Sequence, residues 1–226
     1  MDCIEKPVIN KDLKVFMNYR RLKEIKRCNN FPVNTSEDVA QHSYYVTLIA
    51  MILADEYNTW MADYEFSGNK EKENSVNIQY VKIEQLLRKS LVHDLEEVFT
   101  SDIPWNIKHM NEEVHQSISA AINQRLDKAY EKCKTMELYL SLGKHCKDGF
   151  EGQFVEIADT LELAIYTWEE ISKGNIFLKS LMHKCLVIIS SYPLYNELMR
   201  ASSFFKRLWE LLLEEPSNIE NLLDID

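Results

Sequence analysis

The chain has 226 residues, 46% of them hydrophobic and 27% charged, with a formal net charge of −10. That is ample apolar material for a core, but the acidic balance argues against a nucleic acid polymer as the main partner, because such proteins are normally basic. A small phosphorylated ligand stays open, since a local cationic pocket or a metal can override the global field. With only five Gly and five Pro, the sequence reads as all-α, a string of long amphipathic helices in one domain. The first helix is expected from about Lys11 to Arg27 and ends before Phe31-Pro32-Val33-Asn34, because Pro lacks the donor. The next starts near Thr35 to Asp38, with Thr35 and Ser36 as N-caps, and runs to about Tyr57. A polar stretch from about Asn58 to Asn77 reads as an exposed loop. A third helix covers about Val81 to Phe99 and ends at Ser101-Asp102-Ile103-Pro104. Further helices are expected at about Glu112 to Ser141, Gln153 to Ser172, Ile176 to Ser191 and Leu194 to Glu215. An acidic tail, 216–226, closes the chain.

The five cysteines, Cys3, Cys28, Cys133, Cys146 and Cys185, are odd in number and scattered, which fits reduced thiols in a cytoplasmic setting. The first residues carry no apolar signal region. The longest nearly apolar run, Val46 to Ala54, is too short to span a bilayer, so no membrane partner is expected.

Chemistry enters through three inward-facing positions. His42, Val46, Ile49 and Leu53 share one helical face, so the imidazole points into the core. A lone histidine there is more often a hydrogen-bonded core residue than a ligand. Ile83, Leu87, Ser90 and Asp94 make a second stripe, with His93 beside Asp94, and a carboxylate buried on such a face needs a partner. Asp159 repeats the pattern with Val155, Leu163 and Tyr166. His nitrogens plus carboxylate oxygens suit Mn, Fe, Co, Ni or Zn, and Mg less well. Glu97 follows His93 by four residues and Asp94 by three, so it shares their surface and could position or deprotonate a water activated by such an ion. A plain surface acid is the competing reading. Asp102 is either a turn residue or a carboxylate reaching substrate. Arg20, Arg21, Lys23, Lys26 and Arg27 form the densest basic cluster. It reads mostly as a solvated face, although an Arg can grip phosphate with two donors. His145-Cys146 and His183-Lys184-Cys185 read as ordinary surface or core residues.

The order His42, His93-Asp94, Asp159 on separate helices resembles the HD-domain superfamily of metal phosphohydrolases. It most closely resembles the HD-domain 5′-deoxynucleotidases. The matching stretches are Arg21 to Arg27, Glu37 to Ser43, His93 to Pro104 and Ile157 to Leu161, and the H-D-x-x-E-V-x-T-x-D-x-P run is the most specific. The resemblance implies a single HD domain over 1–226, with a core of about 11–191 and a C-terminal helix at about 194–215. It also implies a metal held by His42, His93, Asp94 and Asp159, Glu97 as catalytic acid, Asp102 as a second active-site acid near sugar and phosphate, and Arg27 on phosphate. Such enzymes hydrolyse nucleoside 5′-monophosphates, prefer the deoxy sugar and are often homodimers. Cys28 stands where the family commonly has a Trp, and a thiol offers no equivalent stacking surface. Trp105 is the candidate to replace it.

Two other functions fit the same residues. One is a deoxynucleoside triphosphate triphosphohydrolase, for which Lys108 and the cations before Arg27 leave room for a longer phosphate chain. The other is a non-catalytic helical interaction protein with a structural metal, against which the intact set of His42, His93, Asp94, Asp159 and Glu97 weighs.

Overall fold

The first helix, α1 (Lys11–Tyr19), is capped by the Asn10 side chain, which accepts from the Asp12 amide at 2.9 Å. In the computed structural model, which describes residues 10–66, 79–103, 111–131, 133 and 136–214, α1 stops well short of the expected Arg27. It passes into a 3-10 turn (Arg20–Glu24), and the chain then extends. The reason is tertiary pairing. Arg27 N–H donates to the Glu37 carbonyl and Val39 N–H to the Ile25 carbonyl, both at 3.0 Å, around a Lys26–Asp38 bridge. Leu22 is thereby buried with Val39 and Val98.

Helix α2 (Val39–Phe66) starts with a reciprocal capping box rather than at Thr35 or Ser36. Gln41 N–H donates to Asp38 Oδ1 at 3.0 Å, and Asp38 N–H donates to Gln41 Oε1 at 3.1 Å. With no Gly or Pro inside it, α2 continues past the expected end at Tyr57. Tyr57 and Met61 remain in the core, and Asn58 is bonded through both side-chain atoms to the Val81 backbone. Residues 58–66, expected as loop, are therefore helical. The rest of that polar stretch, 67–77, lies outside the described residues.

The expected helix from Val81 to Phe99 is two pieces, α3 (Ile83–Val92) and α4 (Glu97–Thr100). The turn between them is closed by Leu95 N–H to Val92 O (3.2 Å) and Glu97 N–H to Asp94 O (3.1 Å). Helix α5 (Glu112–Tyr130) is capped by Asn111. It ends where Glu131 turns extended, so the region expected as one helix to Ser141 gives α5 and then α6 (Met136–Lys144). Helix α7 (Gly149–Ser172) begins earlier than expected. A 3-10 turn (Ile176–Leu178) leads into α8 (Lys179–Ser191). The last expected helix is also broken, into α9 (Tyr195–Ala201) and α10 (Ser203–Leu213). At the break, Ser202 Oγ accepts from Phe205 N–H. The Glu56 carboxylate of α2 accepts from Ser202 Oγ, Ser203 Oγ and the Phe204 amide. The tail 216–226 lies outside the described residues.

Helices α2 and α7 form the centre, with α3, α8, α9 and α10 packed around them. Their shared core includes Val46, Leu53, Phe154, Leu161, Leu178, Ile189, Leu198 and Phe205. Burial of each such side chain contributes about 1.5–3 kcal/mol before chain entropy is charged against it. A smaller cluster, Val15, Leu126, Tyr130 and Cys133, joins α1 to α5. Among the described residues there is no strand, and no helix is long and apolar enough to cross a membrane. Cys28, Cys133, Cys146 and Cys185 are all free and buried, in keeping with reduced thiols.

Candidate metal centre and its cavity

Three elements send side chains to one point. His42 comes from the first turn of α2, Asp159 from the middle of α7, and His93 and Asp94 from the turn joining α3 to α4. The sequence reading put Asp94 at the end of a helical stripe; it sits instead just past the end of α3. That break has a use. Successive residues of a helix point about 100° apart, whereas the turn lets His93 and Asp94 both face the same place.

The geometry is close. His93 Nε2 lies 3.2 Å from His42 Nε2 and 3.2 Å from Asp94 Oδ2. His42 Nε2 lies 3.4 Å from Asp94 Oδ2 and 3.2 Å from Asp159 Oδ1. Both imidazoles are held from behind. His93 Nδ1 donates to the Ser90 carbonyl at 2.7 Å, and His42 Nδ1 donates to Glu162 Oε2. With Nδ1 so engaged, Nε2 is the ring atom that each imidazole turns toward the carboxylate oxygens. Two carboxylate oxygens and two ring nitrogens converging in this way need positive charge among them, which a metal ion or protons on the imidazoles can supply. Bonds of about 2.0–2.1 Å to a tetrahedral ion put ligand atoms about 3.3–3.4 Å apart, close to the four separations above, and His42, His93 and Asp159 all offer ligand atoms within 4.8 Å of one another. The residues therefore fit a divalent transition metal.

The charge environment agrees. Burial alone would push the Asp159 carboxyl up, but Lys147, His42 and His93 outweigh it and hold it well below the usual carboxylate range. Burial likewise opposes ionisation of Asp94, and His93 and His42 more than offset it. Arg27 is largely buried, with Nη1 3.5 Å from Asp94 Oδ2. Burial works against its charge, while Asp94, Glu162, Asp159 and Glu97 together secure it. Behind His42, burial and the neighbouring Glu162 push the Glu37 carboxyl up to about 8, so Glu37 is the protonated partner of that carboxylate pair.

Asp94 and Asp159, in front of the two buried imidazoles, form the floor of a cavity of about 560 Å³, within the range of small-ligand sites. Glu97 is buried and lines it, as do Asp102, Arg27 and Cys28. Cys28 has φ 51°, a left-handed conformation that lets the chain turn sharply after Arg27, with Phe31 N–H returning to the Cys28 carbonyl at 2.9 Å. The outer wall is apolar, with Phe31, Leu163, Leu181, Ile188 and Tyr192, and Lys184 is added from α8. The remaining cations of the basic cluster, Arg20, Arg21, Lys23 and Lys26, stay on the exposed surface. Trp105 and Lys108 lie outside the described residues. His145 is exposed and bonded to Asp148, as its ordinary reading required. Sequence reasoning missed Glu162, Glu37 and Lys147. Glu162 had a signal, since it follows Asp159 by three residues and so shares its face.

A family model described as 5′-deoxynucleotidase YfbR-like matches residues 14–208. A 5′-deoxynucleotidase of Enterobacter sp. (strain 638) is 27% identical over 178 residues, 74% of this chain and 81% of that one. One from Yersinia pestis (strain Pestoides F) is 27% identical over 182 residues, 76% and 84%. The crystal structure of an HD-domain phosphohydrolase from Listeria innocua aligns over 89% of both chains, with TM-score 0.66 and 26% identity. A cyanophage S-2L HD phosphohydrolase, solved with dA and one catalytic Zn2+ ion, shares the fold at TM-score 0.53 and 16% identity, over 86% of this chain and 96% of that one.

Proposed function

This chain belongs to the 5′-deoxynucleotidase YfbR-like family, and on that footing we propose that it hydrolyses (deoxy)nucleoside 5′-monophosphates to a nucleoside and inorganic phosphate. The observation that carries the reading is the convergence of two imidazole Nε2 atoms and two carboxylate oxygens, in four contacts of 3.2–3.4 Å, with Asp94 and Asp159 lining a nucleotide-sized cavity. In this reading His42, His93, Asp94 and Asp159 hold a divalent Co, Mn, Fe, Ni or Zn ion, with Mg a poorer fit to two imidazoles. That ion would supply Lewis acidity toward the phosphate oxygens and toward water. Glu97 takes the proton from the attacking water at its carboxylate and returns it to the 5′-oxygen that leaves. Glu97 is buried, lines the cavity and interacts with Arg27, which places its carboxylate beside the phosphate site. Arg27, charged and largely buried, binds the phosphate. Asp102 faces the sugar, and the apolar wall accepts the base.

The reading extends to the whole chain, 1–226, as a single HD domain, and to a homodimer. Exposed apolar residues at 50–52% on α1, Leu13, Phe16 and Met17, support the dimer, and sedimentation tests it. Free buried thiols support a cytoplasmic setting.

The test is product analysis by chromatography. Metal-stripped protein is reloaded with Mn or Co and offered every nucleoside and deoxynucleoside mono- and triphosphate. Phosphate released from monophosphates alone supports the proposal. Intact triphosphate would move the assignment to a triphosphohydrolase. No turnover with metal bound would overturn both. Asp94→Ala should lose metal and turnover yet stay folded, whereas a structural metal would take the fold with it.

A further inference from the structure

We propose that Lys147 binds the substrate's phosphate directly, as a second cation of the cavity beside Arg27, and that the turn around it is built to present it. The inference rests on the phosphohydrolase reading above and adds a residue to it.

Lys147 Nζ lies 3.1 Å from Asp159 Oδ2, while Oδ1 of the same carboxylate faces His42 Nε2. An ammonium carries three donors. Asp159 takes one of them. The side chain is 49% exposed and lines the cavity, so its other donors are open to a ligand there. The result pairs with Arg27. One cation touches Asp94 and the other touches Asp159, so a phosphate drawn to the floor meets positive charge at each of the two carboxylates.

The backbone supports a presenting role. Gly149 has φ +73°, a conformation that favours glycine. A Cβ on Gly152 would fall 2.2 Å from the Lys147 carbonyl carbon and oxygen, so only glycine lets the first turn of α7 pack that closely on Lys147. The nearly buried Lys89 donates to the Asp148 carbonyl, and His145 Nδ1 bonds Asp148 Oδ2 at 2.8 Å. An ordinary surface lysine requires none of this fixation. The competing role is that Lys147 only neutralises Asp159 and so positions a metal ligand.

Phosphate binding separates the two. Inorganic phosphate is titrated calorimetrically into metal-loaded wild type, Lys147→Gln, Lys147→Arg and Gly152→Ala, with metal content measured on each sample. The expected result is phosphate affinity lowered about 10- to 100-fold in Lys147→Gln, the range of one charge-assisted contact, and largely regained in Lys147→Arg. Metal content and the affinity for the free deoxynucleoside should be unchanged. Gly152→Ala, which must push the Lys147 backbone away, should lower phosphate affinity in the same way. Unchanged phosphate affinity in Lys147→Gln, or a loss that tracks loss of metal, would overturn the proposal. A wild type that hydrolyses no monophosphate would defeat the phosphohydrolase reading, and the calorimetry would still decide Lys147.

Discussion

The floor and the outer wall of the cavity are built on different terms. Each of the four converging side chains, His42, His93, Asp94 and Asp159, has a second group in contact with it. Glu162 holds His42, the Ser90 carbonyl holds His93, Arg27 lies against Asp94, and Lys147 holds Asp159. On the wall, α8 offers Ser180, Leu181, Lys184 and Ile188. Among the described residues neither the Ser180 hydroxyl nor the Lys184 ammonium has a hydrogen-bonding partner there. Chemistry that needs fixed lone pairs requires the first kind of surface. Recognition of a partly apolar ligand tolerates the second.

Substitutions should divide along that line. The largest effect is expected from Glu97→Gln, which keeps the shape and removes the proposed proton carrier. kcat should fall by about 10²–10⁴-fold with metal content unchanged, and a variant as active as wild type would remove Glu97 from the mechanism. Glu162→Gln should come next. It weakens the acceptor that orients His42, so metal affinity should drop about 10- to 100-fold in a chelator competition. If affinity holds, the floor is less dependent on its supports than the contacts imply. On the wall, Leu181→Ala should raise KM by about three- to ten-fold and leave kcat alone, since it removes only apolar contact. A fall in kcat there would erase the distinction between floor and wall.

Away from the cavity, Glu170 gives the smallest and purely structural effect. Its carboxylate accepts from the Asn34 and Thr35 amides at 2.6 and 2.8 Å and from Asn175 at 3.1 Å. Burial opposes its charge, but these bonds win and lower its pKa below the ordinary 4.5. A depressed carboxyl stabilises the fold above its unfolded pKa, and that stability is lost as pH falls through the folded value. Glu170→Gln should therefore cost about 2 kcal/mol at pH 7. The gap between variant and wild type should narrow in acid-unfolding curves, with turnover at pH 7 unaffected.

How much of this was legible in the sequence depended on range. His42 above Val46, Ile49 and Leu53 was readable because helical periodicity is local, and all four are buried as expected. The His93-Asp94 pair was readable as chemistry, but not as a turn, since no Gly or Pro marks the interruption at 93–96. The early end of α1 was not readable either. Only the pairing of Ile25 to Arg27 with Glu37 to Val39, a dozen residues apart, explains it. Lys147 carried no local signal at all. Its place depends on a backbone approach to Gly152 that becomes visible only when α7 is built.

The stitching around Glu170 also bears on traffic through the cavity. Tyr166 O–H donates to the Thr35 carbonyl at 2.7 Å, Lys173 Nζ to Thr35 Oγ1 at 3.0 Å, and Asn175 Nδ2 to the Pro32 carbonyl at 2.7 Å, beside the two amides already tied to Glu170. The segment that carries Phe31 is thus sewn to the same helix that carries Asp159, and the two travel as one body. It is a doorpost and not a door. The amides of Asn34 and Thr35 should exchange with solvent as slowly as the interior of α7.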